Sequence, residues 1–292
     1  RDYLKKRGLD SDAIGRWEIG YSKESFDDLF NFLKSKNFSE EDIVLSGMAI
    51  KNDRGKRYNR FRDRIMFPIH DVNGRTVAFT ARINPFVENI DKAMGKYINS
   101  PQTNLYDKSR ILFGLDRAKK AIRDKSFAIV VEGQMDAISA HEAGFDNTVA
   151  SSGTALTEGQ LILLKRYTEN IYLAFDQDLA GLAATDRGIM EALKMGFNIK
   201  IIDFGDNNSK DPDELIREDA GLFKKYIDSA RNIIEHYLVK ESKSIDMTDI
   251  VAKNKSVHKI LTVINMLKNK VEQDFWIKEL TQRYKLDETF LR

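Results

Sequence analysis

The sequence predicts a mixed α/β fold, with a parallel sheet flanked by helices, a basic α+β segment before it and a helical segment after it. Three observations support this fold class. From Ser126 onward, strand-length apolar runs alternate with helix-length segments, as in a parallel sheet. The preceding residues are basic and contain a hairpin signal, whereas the last part has helical apolar spacing. We expect boundaries at 1–125, 126–219 and 220–292.

The composition excludes several classes of protein. The chain has 292 residues, enough for more than one unit, because domains commonly have about 100–200 residues. It has no Cys, which excludes disulfides, Cys-containing zinc sites and thiol nucleophiles. No apolar stretch reaches the roughly 18 residues of a membrane helix, and no signal-like segment opens the chain. We therefore expect a cytoplasmic protein without membrane contact, and the initial Arg1 indicates an excised or processed chain.

Charge is distributed unevenly along the chain. Residues 1–125 carry 26 Lys and Arg against 18 Asp and Glu, whereas residues 126–292 carry 21 against 27. A basic half can hold phosphates while an acidic half binds cations, an arrangement suited to an enzyme that acts on polyanions. Two solvated surfaces of unequal composition would produce the same counts.

The first segment is predicted to be mostly helical. Within residues 25–35, Phe26, Leu29, Phe30 and Leu33 follow the spacing of an amphipathic helix. Ser39 precedes three acidic residues, which predicts a second helix start. Nothing in the pattern of this segment indicates catalytic chemistry.

A dense group of basic residues follows. Residues 51–64 include seven Lys and Arg against two Asp, and Arg60, Arg62 and Arg64 alternate. On a strand they would share one face and form a phosphate-binding platform, because Arg presents a planar, permanently charged group to phosphate oxygens. An edge strand protected from aggregation by its charge is the alternative. Asn73-Gly74 then predicts a hairpin between two strands.

After a loop-rich stretch, strands and helices alternate. Strands are predicted over 127–133, 147–153, 170–176 and 198–204, with helices over 135–144, 157–167 and 179–195. Thr157 and Gln160 fit a capping box, and Pro212 can open a further helix. The intervening helices imply crossover connections and a parallel sheet. Helices continue to the end of the chain, where the stripe of Ile260, Val263, Ile264 and Leu267 is predicted to face a core.

Three pairs of acidic residues follow these strands. They are Glu132 with Asp136, Asp176 with Asp178, and Asp211 with Asp213. Ligands bind at the carboxyl edge of such sheets, so the six acids could converge there. Unpaired acids repel, by roughly 4 kcal/mol for two charges 4 Å apart at an effective dielectric of 20. Hard divalent cations are the usual way to offset that repulsion.

The acid pairs also predict a type of chemistry. Mg²⁺ is commonly held by one or two carboxylates together with substrate phosphates. Two such ions can stabilise the entering and leaving oxygens of a phosphoryl displacement. The catalytic candidates are Glu132, Asp176 and Asp178, and Glu132 could serve as a ligand or as the base. Any single pair could instead be a turn or a helix cap.

The motifs also resemble a known family. The segment EGQMDAISAHEAGFDNTVASSGTALT, then FDQDLAG and then DPDEL, is similar to the Toprim domain of DnaG-type primases, type IA and II topoisomerases, RecR proteins and OLD-family nucleases. The flanks YLKKRGLDSDAIGRWEIGYS, RFRDRIMFPIHDVNGRTVAFTAR and KYINSPQTNLYDKSRILFGLDRAKKAI resemble the basic subdomain that precedes Toprim in bacterial primases. Nearly the whole chain takes part in this resemblance.

The resemblance implies a primase catalytic core that makes short RNA primers on single-stranded DNA from ribonucleoside triphosphates. It implies two or more Mg²⁺ or Mn²⁺ ions held by the six acids, no zinc in this fragment, and coupling to the replicative helicase through a domain absent here. Residues implied to bind template and nucleotide are Arg7, Arg60, Arg62, Arg82, Lys96 and Lys108. Gln177 and Leu179 depart from the family's usual Gly and Arg, so nucleotide contacts near them are expected to differ.

Two other functions use the same residues. A Toprim nuclease would use the acids with water as the nucleophile, and would degrade DNA without added nucleotides. A non-catalytic nucleic-acid-binding module would use the basic residues alone, with salt-sensitive and metal-independent binding. The position of the basic segment before the Toprim-like motifs favours the primase interpretation.

Overall fold

The computed structural model of the protein describes residues 1–86, 95–153, 156–175, 179–205 and 211–287, apart from the side chains of residues 179–186. It divides into two compact units, Arg1–Arg117 and Ala118–Arg292. The predicted boundaries at 125/126 and 219/220 remain predictions. Among the described residues, no helix combines the length and apolar character needed to cross a membrane.

Short helices dominate the start of the first unit, as predicted. They are α1 (Asp2–Lys6), α2 (Ser11–Arg16), α3 (Asp28–Ser35) and α4 (Glu40–Leu45). The helix start predicted at Ser39 is confirmed, because the Ser39 hydroxyl accepts a hydrogen bond from the backbone N–H of Asp42 at 3.0 Å. A fifth helix, α5 (Leu115–Lys125), runs across the boundary between the units.

The first unit contains an antiparallel sheet of four strands. Its strands lie in the order β1 (Gly20–Ser22), β4 (Arg64–His70), β5 (Thr76–Ile83) and β6 (Tyr97–Asn99), while β2 (Ala49–Lys51) and β3 (Arg57–Asn59) form a separate pair. The hairpin predicted at Asn73-Gly74 connects β4 to β5. Strand β6 lies in the stretch predicted as loop, because three residues are too few to show a strand period.

The second unit contains the predicted parallel sheet. The order is β11 (Arg231–Asn232), β10 (Asn198–Ile201), β9 (Asn170–Ala174), β7 (Ala128–Val131) and β8 (Thr148–Ala150). The four predicted strands pair in parallel, and β11 adds an antiparallel edge. All four residues of β7 are buried, as expected for a parallel strand with neighbours on both sides.

Helices connect and follow these strands. They are α6 (Gln134–Glu142), α7 (Glu158–Lys165), α8 (Leu179–Lys194), α9 (Pro212–Asp228), α10 (Ile233–Ser244), α11 (Ile250–Ile264) and α12 (Lys270–Tyr284). The predicted capping box is present at Thr157 and Gln160. Ile260, Val263 and Ile264 are buried, as predicted. Helix α11 ends at Ile264, so Leu267, the last member of that stripe, lies beyond the helix and is half-buried.

Tyr106 in the first unit predicts a loss of stability at alkaline pH. Its side chain is 2% exposed, and burial raises the pKa of its hydroxyl to about 12 from 10.0. The unfolded chain therefore ionises first, and the folded state loses stability as the pH rises from about 10 towards 12. Urea unfolding at pH 8 to 11 measures this loss. Tyr106→Phe should show a shallower decline, and equal slopes for both proteins would contradict the assignment.

Candidate active site

The carboxyl ends of two neighbouring strands define the candidate site in the second unit. Val131 at the end of β7 pairs with Ala174 at the end of β9, so both strands end at the same level. Glu132 follows β7 directly, is half-buried, and accepts a hydrogen bond on its carbonyl from Gly153 at 3.1 Å. Asp176 and Asp178, the predicted pair beyond β9, lie outside the described residues.

Asp136 stabilises the start of α6. It lies in the first turn of this helix, as predicted. Its Oδ2 atom accepts a hydrogen bond from the backbone N–H of Gly133 at 3.0 Å, and its side chain is only 7% exposed. A Cβ atom at position 133 would lie 2.7 Å from that same oxygen, closer than real Cβ contacts allow. Glycine at position 133 thus lets the carboxylate close over the turn that follows Glu132.

Helix α9 carries the third acid pair and links one member of it, Asp213, to Asp136. Asp211 caps this helix, because its carboxylate accepts a hydrogen bond from Glu214 N–H at 2.8 Å. Asp213 is completely buried, and its backbone N–H donates to Oδ1 of Asp136 at 3.1 Å. The Asp213 carboxylate accepts a hydrogen bond from the Ser139 hydroxyl and lies 3.4 Å from Nε of Arg217.

The structure therefore joins two of the acid motifs directly. Asp136 and Asp213 are connected through one hydrogen bond between residues 77 positions apart. Both Asp136 oxygens accept backbone N–H groups, and Asp211 is oriented by its own helix cap. Within the described ranges, no three His, Asp or Glu side chains are grouped closely enough to hold a metal ion. The six-acid metal cluster remains a prediction, since two of its members lie outside those ranges.

Sequence reasoning missed the groups that support these acids. Ser139 and Arg217 contact Asp213, and Gly133 makes room for Asp136. Ser139 lies one helical turn after Asp136, so helical spacing could have identified it. Arg217 is four residues after Asp213, so helical spacing could have identified it as well.

The prediction that Arg60, Arg62 and Arg64 alternate on one strand is wrong. Only Arg64 belongs to a strand, and residues 60–63 connect β3 to β4. The reason is the backbone of Asp63, whose φ of 50° is left-handed and interrupts the extended run. The three guanidinium groups therefore do not form a single face of a strand.

Each of these arginines has its own surroundings. Arg60 donates from Nε to the carbonyl of Gly47 at 2.8 Å, and burial lowers the pKa of its guanidinium. Arg62 lies over the rings of Phe26 and Tyr58. Arg64 is 3% exposed, and Nη1 lies 3.4 Å from a backbone carbonyl of β5, so it is the least accessible of the three.

The other predicted binding residues also differ in exposure. Arg82 is 9% exposed, lies over the ring of Tyr3, and donates to the Tyr97 hydroxyl at 2.8 Å. Arg7 is half-buried at the end of α1. Lys96 is exposed, whereas Lys108 is half-buried and burial lowers the pKa of its amine.

Comparisons with known proteins agree with this architecture. The family described as "DNA primase catalytic core, N-terminal domain" matches residues 1–119, and the family described as "Toprim-like" matches residues 129–216. A DNA primase of Clostridium acetobutylicum is 36% identical over 285 residues, which cover 97% of this chain and 46% of that protein. The chain therefore spans about half the length of the curated relatives it matches.

Solved structures match nearly the whole chain. A structure described as the DnaG catalytic core is 27% identical with a TM-score of 0.83, and the match covers 100% of this chain and 92% of that one. A DnaG primase catalytic domain bound to single-stranded DNA is 28% identical with a TM-score of 0.83, covering 99% of this chain and 90% of the other. From these matches and the strand order, the chain belongs to the family of DnaG-type bacterial primase catalytic cores, with a Toprim-type parallel sheet.

Proposed function

We propose that this chain is a primase catalytic core that synthesises short RNA primers on a single-stranded DNA template from ribonucleoside triphosphates. The observation that carries this proposal is the position of Glu132. It follows the buried interior strand β7, beside the linked Asp136 and Asp213, in a chain that aligns over 97% of its length with a DNA primase. We also propose that the protein interacts with the replicative helicase through a domain outside this chain. A cytoplasmic location is part of the same proposal.

The donor set fits a hard divalent cation. The acids offer only oxygen atoms, which suit Mg²⁺ and Mn²⁺. Glu132, together with Asp176 and Asp178, would hold two or more such ions, with Asp136, Asp211 and Asp213 completing the set. When bound, the ions would stabilise negative charge on the entering and leaving oxygens of nucleotidyl transfer.

The residues of the chain position this site. Asp136 closes the turn between β7 and α6 and so orients the backbone that carries Glu132. Asp213 ties α9 to α6 through Asp136 and Ser139, which links the two helix starts that carry these acids. Glu132 is the candidate base that removes the proton from the attacking hydroxyl. The alternative role of Glu132 is that of a metal ligand.

Primer synthesis on single-stranded DNA with labelled ribonucleotides tests the proposal. We expect template-dependent RNA products in Mg²⁺ or Mn²⁺, and complete loss of product after chelation with EDTA, because the proposed ions would stabilise the charge on the entering and leaving oxygens. Restoring the divalent ion should restore synthesis. Degradation of the template without ribonucleotides would favour the nuclease, and metal-independent DNA binding with no product would favour the binding module.

A further inference from the structure

Ser139 is a buried polar residue in the middle of helix α6. Its side chain is 5% exposed, and its neighbours Ala137, Ile138 and Ala140 are fully buried. Burial of a hydroxyl group costs free energy unless the group is hydrogen-bonded. The Ser139 hydroxyl donates to Oδ1 of Asp213, which lies on α9 and 74 positions further along the chain. The hydroxyl therefore connects two helices that are distant in the sequence.

The carboxylate of Asp213 is oriented by two side chains. Its Oδ1 atom accepts the Ser139 hydroxyl, and its Oδ2 atom lies 3.4 Å from Nε of Arg217. Arg217 lies on the same helix as Asp213 and compensates its charge, whereas Ser139 is a donor from α6. A hydrogen bond to an ionised carboxylate is about twice as strong as one between neutral groups. Ser139 therefore fixes the direction in which the Asp213 carboxylate faces.

The hydrogen bonds that begin at Ser139 continue to the residue beside Glu132. The backbone N–H of Asp213 donates to Oδ1 of Asp136 at 3.1 Å. The backbone N–H of Gly133 donates to Oδ2 of the same carboxylate at 3.0 Å, and Gly133 directly follows Glu132. A connected series of hydrogen bonds therefore runs from Ser139 through Asp213 and Asp136 to the turn that carries Glu132.

The first turns of α9 depend on these contacts, because the helix is kinked at Asp219. The backbone of Asp219 has φ of −156° and ψ of 96°, which lie outside the helical region. Beyond the kink, Phe223 packs against Phe145, which follows α6, with 4.9 Å between the ring centres. That contact holds the second half of α9. The first half, which carries Asp211 and Asp213, is held against α6 by the hydrogen bonds at its start.

We propose that Ser139 is a positioning residue of the candidate active site, which holds the start of α9 against α6 and thereby sets the affinity of the acids for divalent ions. The hydroxyl acts through Asp213 and Asp136 and contacts neither the ions nor the substrate. This role rests on the proposed function, because it requires that the acids at this site bind the ions. It assigns to a neutral side chain a part of the metal affinity that the acids alone would not provide.

Binding of Mn²⁺ tests this role without a measurement of activity. The protein is titrated with MnCl₂ in the absence of nucleotide and DNA, and free Mn²⁺ is followed by electron paramagnetic resonance. Ser139→Ala removes the hydroxyl and little volume. It should raise the dissociation constant for Mn²⁺ about 10- to 100-fold, as is typical when a metal-binding side chain loses a hydrogen-bond partner. Ser139→Thr keeps the hydroxyl and should bind Mn²⁺ more tightly than Ser139→Ala.

Ser256→Ala is the matched control. Ser256 on α11 is 3% exposed, and its hydroxyl hydrogen-bonds to the buried Tyr284 hydroxyl on α12 at 2.6 Å. Both alanine variants should unfold at lower urea concentration, because each loses one buried hydrogen bond. Ser256→Ala should nevertheless bind Mn²⁺ as the unmodified protein does. Normal Mn²⁺ binding by Ser139→Ala, equal losses of affinity in the two variants, or no Mn²⁺ binding by the unmodified protein would overturn the positioning role.

Failure of the positioning role and failure of the proposed function give different results. If the chain makes primers but Ser139→Ala binds Mn²⁺ normally, the positioning role is wrong and the function stands. If the chain makes no primers but Ser139→Ala selectively weakens Mn²⁺ binding, Ser139 still positions a metal site and primer synthesis is the wrong function for it.

Discussion

Glu132→Gln is expected to reduce primer synthesis strongly while leaving the fold intact. The substitution keeps the shape of a half-buried side chain at the end of β7, but removes its charge and its ability to accept a proton. A positioned acid–base group typically contributes about 10²–10⁴-fold to the rate, so we expect a loss of at least 100-fold. Incorporation of labelled ribonucleotides on single-stranded DNA measures the loss, and circular dichroism verifies the fold.

Glu142→Gln provides the control for this prediction. Glu142 is exposed in the last turn of α6, far along the helix from the strand end, and the substitution should leave synthesis unchanged. The residual activity of Glu132→Gln also shows whether Glu132 acts as a metal ligand or as the general base. A higher requirement for Mg²⁺ would identify a metal ligand, whereas an altered pH profile at saturating Mg²⁺ would identify the base. Full activity in Glu132→Gln would remove this residue from the site.

Asp136→Ala is expected to cost about 2–4 kcal/mol in the free energy of unfolding, since a buried donor left unsatisfied costs about 1–3 kcal/mol and one of the two donors is only half-buried. Two backbone N–H groups, those of Gly133 and Asp213, would lose their acceptor. The start of α6 would separate from α9, and activity would fall because the turn that carries Glu132 would no longer be held. Urea unfolding followed by circular dichroism measures the change.

Asp136→Asn separates anchoring from metal binding at this position. The amide keeps one acceptor oxygen, so it should cost less stability than Asp136→Ala. If Asp136 also holds an ion, Asp136→Asn will lose activity out of proportion to its lost stability. Glu142→Ala, in the last turn of the same helix, should unfold as the unmodified protein does. An Asp136→Ala protein as stable as the unmodified one would show that the two hydrogen bonds do not hold the helices together.

The fold could be predicted well where the determining pattern is local. The four parallel strands, the cap at Ser39, the capping box at Thr157 and the helix opened by Pro212 each depend on residues within a few positions. Short elements were missed, because β6 and β11 contain only three and two residues and show no period. The pairing of these strands depends on partners distant in the sequence.

The basic residues show why the candidate site was harder to predict. Alternation of Arg60, Arg62 and Arg64 predicted a shared face, but the left-handed backbone at Asp63 removes the first two from the strand. Asp is more tolerant of that conformation than most residues, but nothing in the sequence shows that it adopts it here. Arg64 and Arg82 are largely buried, which depends on packing within the sheet of the first unit.

The sequence by itself determined the alternation of the four parallel strands with helices and the place of the acids after these strands, and it predicted a class of chemistry. These follow from the periods of apolar residues and from the chemistry of carboxylates, which need no knowledge of distant contacts. Only the tertiary structure decided that Asp213 hydrogen-bonds to Asp136, and that Arg62 lies against Phe26. The partners in these contacts come from separate segments, and they meet only because the surrounding core packs in one arrangement.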